Sequence, residues 1–153
     1  MNLMIKAPAG FFMPLFSFAA MLLFARLAMQ DWQSRRLSRR ELLLLLVLGG
    51  LRLLRENAVP DCLAGFAAGL LLFLIPYRLF RGKMGRGDVY LAAILGLWMG
   101  FGAFPEAVAA AMALAAGAAL MRFGRTGLPI GTFLILGAAI SQLMRALEEV
   151  LAG

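Results

Sequence analysis

Gly85-Arg86-Gly87-Asp88-Val89-Tyr90-Leu91-Ala92-Ala93-Ile94-Leu95-Gly96-Leu97-Trp98-Met99-Gly100 sets a carboxylate at the foot of a long apolar run. Ionisable groups at membrane depth are expensive to desolvate, so an acid in this position marks either a helix boundary at the bilayer surface or a functional group. The glycines on either side of Arg86 permit backbone angles closed to other residues and let another chain approach closely. Asp88 can equally serve as a plain cap for the helix that follows. Taken alone the G-x-G-D pattern is weak. From this chain's own Gly and Asp content it would arise by chance about once in thirty such chains, so it needs a partner elsewhere in the sequence.

The rest of the chain is of the same character. Its 153 residues are 63% hydrophobic, well above the half expected of a soluble domain. A bilayer core about 30 Å thick takes roughly 20 apolar residues per helix, which leaves room for about six spans and no separate soluble domain. Six apolar segments can be drawn, at 9–30, 38–57, 61–80, 88–103, 105–122 and 129–147. Ser38-Arg39-Arg40-Glu41 reads as a capping box at a helix start. Pro60-Asp61 and Pro105-Glu106 set a helix breaker beside an acidic group at two further starts. Gly124 to Gly127 marks a turn, and Pro129 suits the first turn of the last helix. The stretch from about Phe11 to Met29 is too long for a signal-peptide core and reads as a retained first helix. The expected fold is therefore all-α: a polytopic transmembrane helical bundle of about six helices, forming a single domain over residues 1–153.

Charge sets the expected orientation. Arg26, Arg35, Arg36, Arg39 and Arg40 flank the first break; Arg78, Arg81, Lys83 and Arg86 fill the third; Arg122 and Arg125 fill the fifth. Only Lys6, Arg52, Arg55 and Arg145 belong to the other breaks and the termini. Eleven against four puts breaks one, three and five in the cytoplasm and both termini on the outer, periplasmic side. The net charge of +7 then reflects topology and contact with anionic lipid, and no nucleic acid partner is called for. The single Cys62 forms no internal disulfide, and without a histidine or a cysteine pair there is no zinc site.

Few acidic groups remain once those with local tasks are set aside. Glu41 has a capping position, Asp61 and Glu106 lie at outer helix starts, and Glu148 and Glu149 lie in the tail. Glu56 aside, the two left are Asp31 and Asp88, in breaks one and three, so the topology brings both to one depth. Two carboxylates facing one water can hydrolyse a peptide bond: the ionised one takes a proton from water, and the protonated one polarises the carbonyl and later protonates the amine. Like charges at close range share a proton. Asp88, at a helix start, is expected to be the one ionised first. An ion or proton path through a transport protein, and a non-catalytic scaffold whose aspartates are caps, are the other classes open to the same residues.

These segments resemble the type IV prepilin peptidases, intramembrane aspartyl proteases of the G-x-G-D group. The run from Gly85 to Gly100 looks like that family's second-aspartate segment, and Asp31 through Arg39 is similar to its first. Leu128-Pro129-Ile130-Gly131-Thr132-Phe133-Leu134 looks like its late Pro-Phe-Gly-Pro-Phe-Leu stretch. The departures are Tyr90 in place of lysine, Gln33 in place of arginine, Leu37-Ser38 in place of Ile-Pro, and Ile130 and Thr132 in place of Phe and Pro. Presenilin-like proteases share G-x-G-D but carry a Tyr-Asp partner, and here Asp31 follows Gln30.

The resemblance implies a membrane-embedded aspartyl endopeptidase in the bacterial inner membrane. Its catalytic residues would be Asp31 and Asp88, its active-site loop Gly85, Arg86 and Gly87, and its active site would face the cytoplasm. It would remove the basic leader from a prepilin or pseudopilin precursor and need no cofactor. The short first break, without zinc cysteines, implies a minimal form like those of tight-adherence (Flp) pilus systems, without methyltransferase activity.

Overall fold

The computed structural model describes residues 9–34, 36–53, 59–79, 85–121 and 129–152. Every regular element among them is an α-helix: α1 (Ala9–Ser34), α2 (Arg39–Leu53), α3 (Val59–Leu79), α4 (Arg86–Met121) and α5 (Ile130–Ala152). Three of the five, Val59–Leu79, Arg86–Leu120 and Ile130–Ala152, are long and apolar enough to cross a membrane. Large apolar side chains such as Leu43, Leu71, Ile75, Met112, Leu120 and Leu143 point outward. That arrangement suits lipid as the surrounding solvent, where burying apolar surface brings no gain and only backbone polar groups must be satisfied internally.

Glycine sets the tightest contact in the bundle. A Cβ at Gly65 would fall on the Gly96 carbonyl, and one at Gly69 would fall on the Ala92 carbonyl, so α3 and the first part of α4 meet backbone to backbone. The Gly65/Gly69 and Gly96/Gly100 spacings thus serve packing within the chain. Gly65 faces Gly96 and Gly69 faces Ala92, an antiparallel pairing.

The direction changes at Gly100, whose φ of 74° and ψ of 170° interrupt α4. Only glycine enters that region without strain. Beyond it, Glu106 meets Ser141 and Arg145, while Ala107 and Ala111 pack on Gly137. This second part of α4 is therefore antiparallel to α5. Both α5 and the first part of α4 start at the same end of the bundle, so the chain turns back at Gly100. The sequence pattern put the division at Phe104-Pro105; the break falls at Gly100 instead, and Pro105 lies five residues beyond it, inside the second segment.

Other boundaries shift modestly. α1 continues to Ser34, which puts Asp31 in its last turn. Ser38 accepts the amide of Leu42 through its carbonyl, as an N-cap residue does. Glu41 does not complete the expected capping box: its carboxylate pairs with Arg26 of α1 at 2.9 Å, joining α1 to α2. Trp98 ties α2 to α4 by donating from Nε1 to the Leu45 carbonyl at 3.1 Å. Its own carbonyl accepts from Arg52 at 2.8 Å, and the same guanidinium stacks on the indole. Of the basic residues that set the expected orientation, Lys6, Arg35, Arg55, Arg81, Lys83, Arg122 and Arg125 lie outside the described residues, as does the Gly124–Gly127 turn.

The glycine contact can be tested against an uncrowded glycine. Gly117 also sits in α4, but a Cβ there meets nothing within 4 Å. Gly65→Ala is expected to destabilise the protein by about 1–3 kcal/mol. Gly117→Ala is expected to be neutral or to stabilise it by up to about 1 kcal/mol. Thermal unfolding in detergent micelles checks both.

Candidate active site

Asp31 and Asp88 lie at the same end of the bundle, where α1 finishes and where α4 and α5 begin. Asp31 is 4% exposed. Its Oδ2 accepts the backbone amide of Thr132 at 2.9 Å and lies 3.2 Å from the Thr132 hydroxyl. The first amides of a helix have no partner within it, and Thr132 is in the first turn of α5. The carboxylate of α1 thus caps a helix that begins about a hundred residues later. The same hydroxyl donates to the Ala28 carbonyl of α1 at 3.0 Å.

Asp88 lies in the first turn of α4 and is half buried. Its Oδ2 accepts the Gly85 amide at 3.2 Å, while its own amide donates to the Gly85 carbonyl at 3.2 Å. The tight turn Gly85-Arg86-Gly87-Asp88 therefore closes on its own carboxylate. Asp31 and the Gly131 amide both act on the Asp88 carboxylate electrostatically. Gly131 lies directly against Asp31. A Cβ on it would stand 2.9 Å from Asp31 Oδ2 and 3.2 Å from Leu91 Cδ2, so any other residue would push into the carboxylate.

The loop residues part company. Gly85 holds Asp88, as described. Gly87 packs against Leu37 of the first break, with Leu37 Cβ 3.0 Å from where its own Cβ would be, which brings breaks one and three together. Arg86 turns away from both acids: its Nε donates to the Tyr77 hydroxyl at 2.9 Å and fastens the end of α3 to the start of α4. Trp32 and Tyr90 are exposed beside Asp31 and Asp88. At the opposite end, Glu106 is held by two contacts from Arg145, at 3.0 and 2.9 Å, and Asp61 lies against Gly100.

Gly131, Thr132 and Tyr77 were not among the sequence-predicted site residues. The first two belong to a stretch already noted for its resemblance, and Pro129 announced a helix start with unpartnered amides at that point. Nothing in the sequence pointed to Tyr77.

These features define a class: an all-helical bundle with membrane-length apolar helices and two neighbouring carboxylates at one end. Residues 16–120, more than half of the chain, match the type IV leader peptidase family, and the chain belongs to that family. The matched region contains both aspartates and stops before α5. No curated protein and no solved structure matches the chain.

The meeting of the two breaks is checked by cross-linking. In a Cys62→Ala background, Leu37→Cys with Gly87→Cys is expected to form a disulfide on mild oxidation, since the two Cβ positions lie 3.0 Å apart and need to open by only about half an ångström to reach the range of a disulfide. Mass spectrometry after alkylation reads the outcome. Two freely alkylated thiols after oxidation would contradict the contact.

Proposed function

We propose that this chain is a membrane-embedded aspartyl endopeptidase that removes the basic leader from prepilin-like precursors at the cytoplasmic membrane face, with Asp31, Asp88 and a water as the chemical groups. The carrying observation is the convergence of Asp31 and Asp88 on the amino end of α5, within a chain of the leader peptidase family. The charge count over the breaks supports the cytoplasmic placement, because the end that holds both aspartates is the end of breaks one, three and five.

The roles follow from the donors around each acid. Asp88 does occupy a helix start, the position from which sequence assigned it the negative charge. Asp31, however, gathers a backbone amide at 2.9 Å and a hydroxyl at 3.2 Å on one oxygen, also at a helix amino end, whereas Asp88 has the longer Gly85 amide. Hydrogen bonds to an ionised acceptor are roughly twice as strong as neutral ones. The charge therefore belongs on Asp31, and the shared proton on Asp88.

Asp31 then takes a proton from water as the water oxygen attacks the scissile carbonyl carbon, and Asp88 donates its hydrogen bond to the carbonyl oxygen. Collapse of the tetrahedral adduct breaks the C–N bond. The departing amine takes up a proton from the pair, and the dyad is left with one proton, as it began. The precursor's apolar helix lies in the bilayer, so its leader junction arrives at the depth of this end of the bundle. The exposed Trp32 and Tyr90 flank that entrance.

Co-expression with a prepilin, followed on a gel, tests the proposal. Asp31→Asn and Asp88→Asn are each expected to lower leader removal by at least about a thousandfold, as losses of acting chemical groups do in other proteases. Normal processing by either variant would exclude the dyad.

A further inference from the structure

Among the described residues, Thr132 touches Asp31 with two different donors, its amide and its hydroxyl, and the hydroxyl has a second neighbour. The hydroxyl oxygen lies 3.2 Å from Asp31 Oδ2 and 3.0 Å from the Ala28 carbonyl. A hydroxyl carries one proton and two lone pairs, so it cannot donate to both at once. When Asp31 is charged, the proton can turn to the carboxylate. When Asp31 carries a proton, the hydroxyl can turn its own to Ala28 and accept from the acid. The backbone amide stays on Oδ2 in both cases.

We infer that Thr132 is a positioning residue for Asp31: it pins Oδ2, leaves Oδ1 outside these contacts, and supplies a hydroxyl that rotates with the proton state of the acid. The inference rests on the leader-peptidase assignment of Asp31 given above. Thr132 is 7% exposed, and Asp31 4%, so water has little access to replace the contact, and a buried group left unpaired loses its full solvation. Asp88 from α4 is an ionisable group facing Asp31, and Thr132 supplies the donors from α5. In the stretch that residues 128–134 resemble, this position is proline, which has neither the N–H nor the hydroxyl. The donor pair is thus this chain's own device and not a feature of the resembled segment.

Kinetics on the full-length protein in detergent, with a prepilin precursor as substrate, separate positioning from plain packing. Thr132→Val keeps the shape and the amide but removes the hydroxyl. It is expected to lower kcat about ten- to a hundredfold with KM within about twofold, in line with loss of a charge-assisted hydrogen bond. The acid limb of its pH–rate profile is expected to move to higher pH, because the charged form of the base has lost a donor and is reached only at lower proton concentration. Thr132→Ser is expected to restore both kcat and the limb. Thr132→Ala removes the same hydroxyl and serves if the valine variant fails to fold.

A hydroxyl-free variant with normal kcat and an unmoved limb would overturn the inference. So would a serine variant as impaired as valine, since that would assign the effect to the methyl group. Asp31→Asn in the same assay distinguishes the two levels. If it still cleaves, the dyad itself fails. If it is inactive while valine is normal, only the Thr132 role fails.

Discussion

The Asp31 carboxylate on the first turn of α5 is the contact on which the site depends. A buried helix amino end is costly when its free amides find no partner. Here the cap comes from α1, through the Thr132 amide at 2.9 Å. One hydrogen bond thereby joins the first and last described helices, fixes the end of the bundle at which both finish or begin, and buries a carboxylate next to a second one. Gly131 makes the approach possible, because a side chain there would occupy the space of Asp31 Oδ2. The same contact satisfies a structural need and builds a chemical group, so removing it would affect both.

The remainder of the bundle delivers Asp88 to that place. The glycine contact between α3 and the first part of α4 brings the two backbones together at Gly65–Gly96 and Gly69–Ala92, and Arg86 on Tyr77 fastens the two helices at the aspartate end. At the far end the chain reverses at Gly100 and is held against α5 by Glu106 and Arg145. The family match covers residues 16–120 and ends before α5, so Thr132 and Gly131 bring to the site a contribution from outside the matched region.

Much of this was legible in the sequence. Apolar segments of membrane length marked out helices, and position along the chain singled out Asp31 and Asp88 among the few acids. Two kinds of feature were not legible. Thr132 and Asp31 are 101 residues apart, and no local pattern records a cap supplied from so far away. The Gly100 turn was hidden because Pro105 is the stronger local breaker, while the observed reversal needs only one positive φ, with Asp61 packed against it. Glu41 followed neither signal: the Ser-x-x-Glu pattern favoured a cap, and the nearby Arg26 offered a charged partner instead.

The central claim is that Asp31 and Asp88 act as one coupled pair. Carboxyl-carbon NMR on aspartate-labelled protein in micelles, titrated through the acidic and neutral range, tests it most directly. The account predicts that Asp31→Asn moves the Asp88 titration to lower pH, because the like charge that faces it has been removed. An Asp88 titration unchanged by that substitution would contradict the pair.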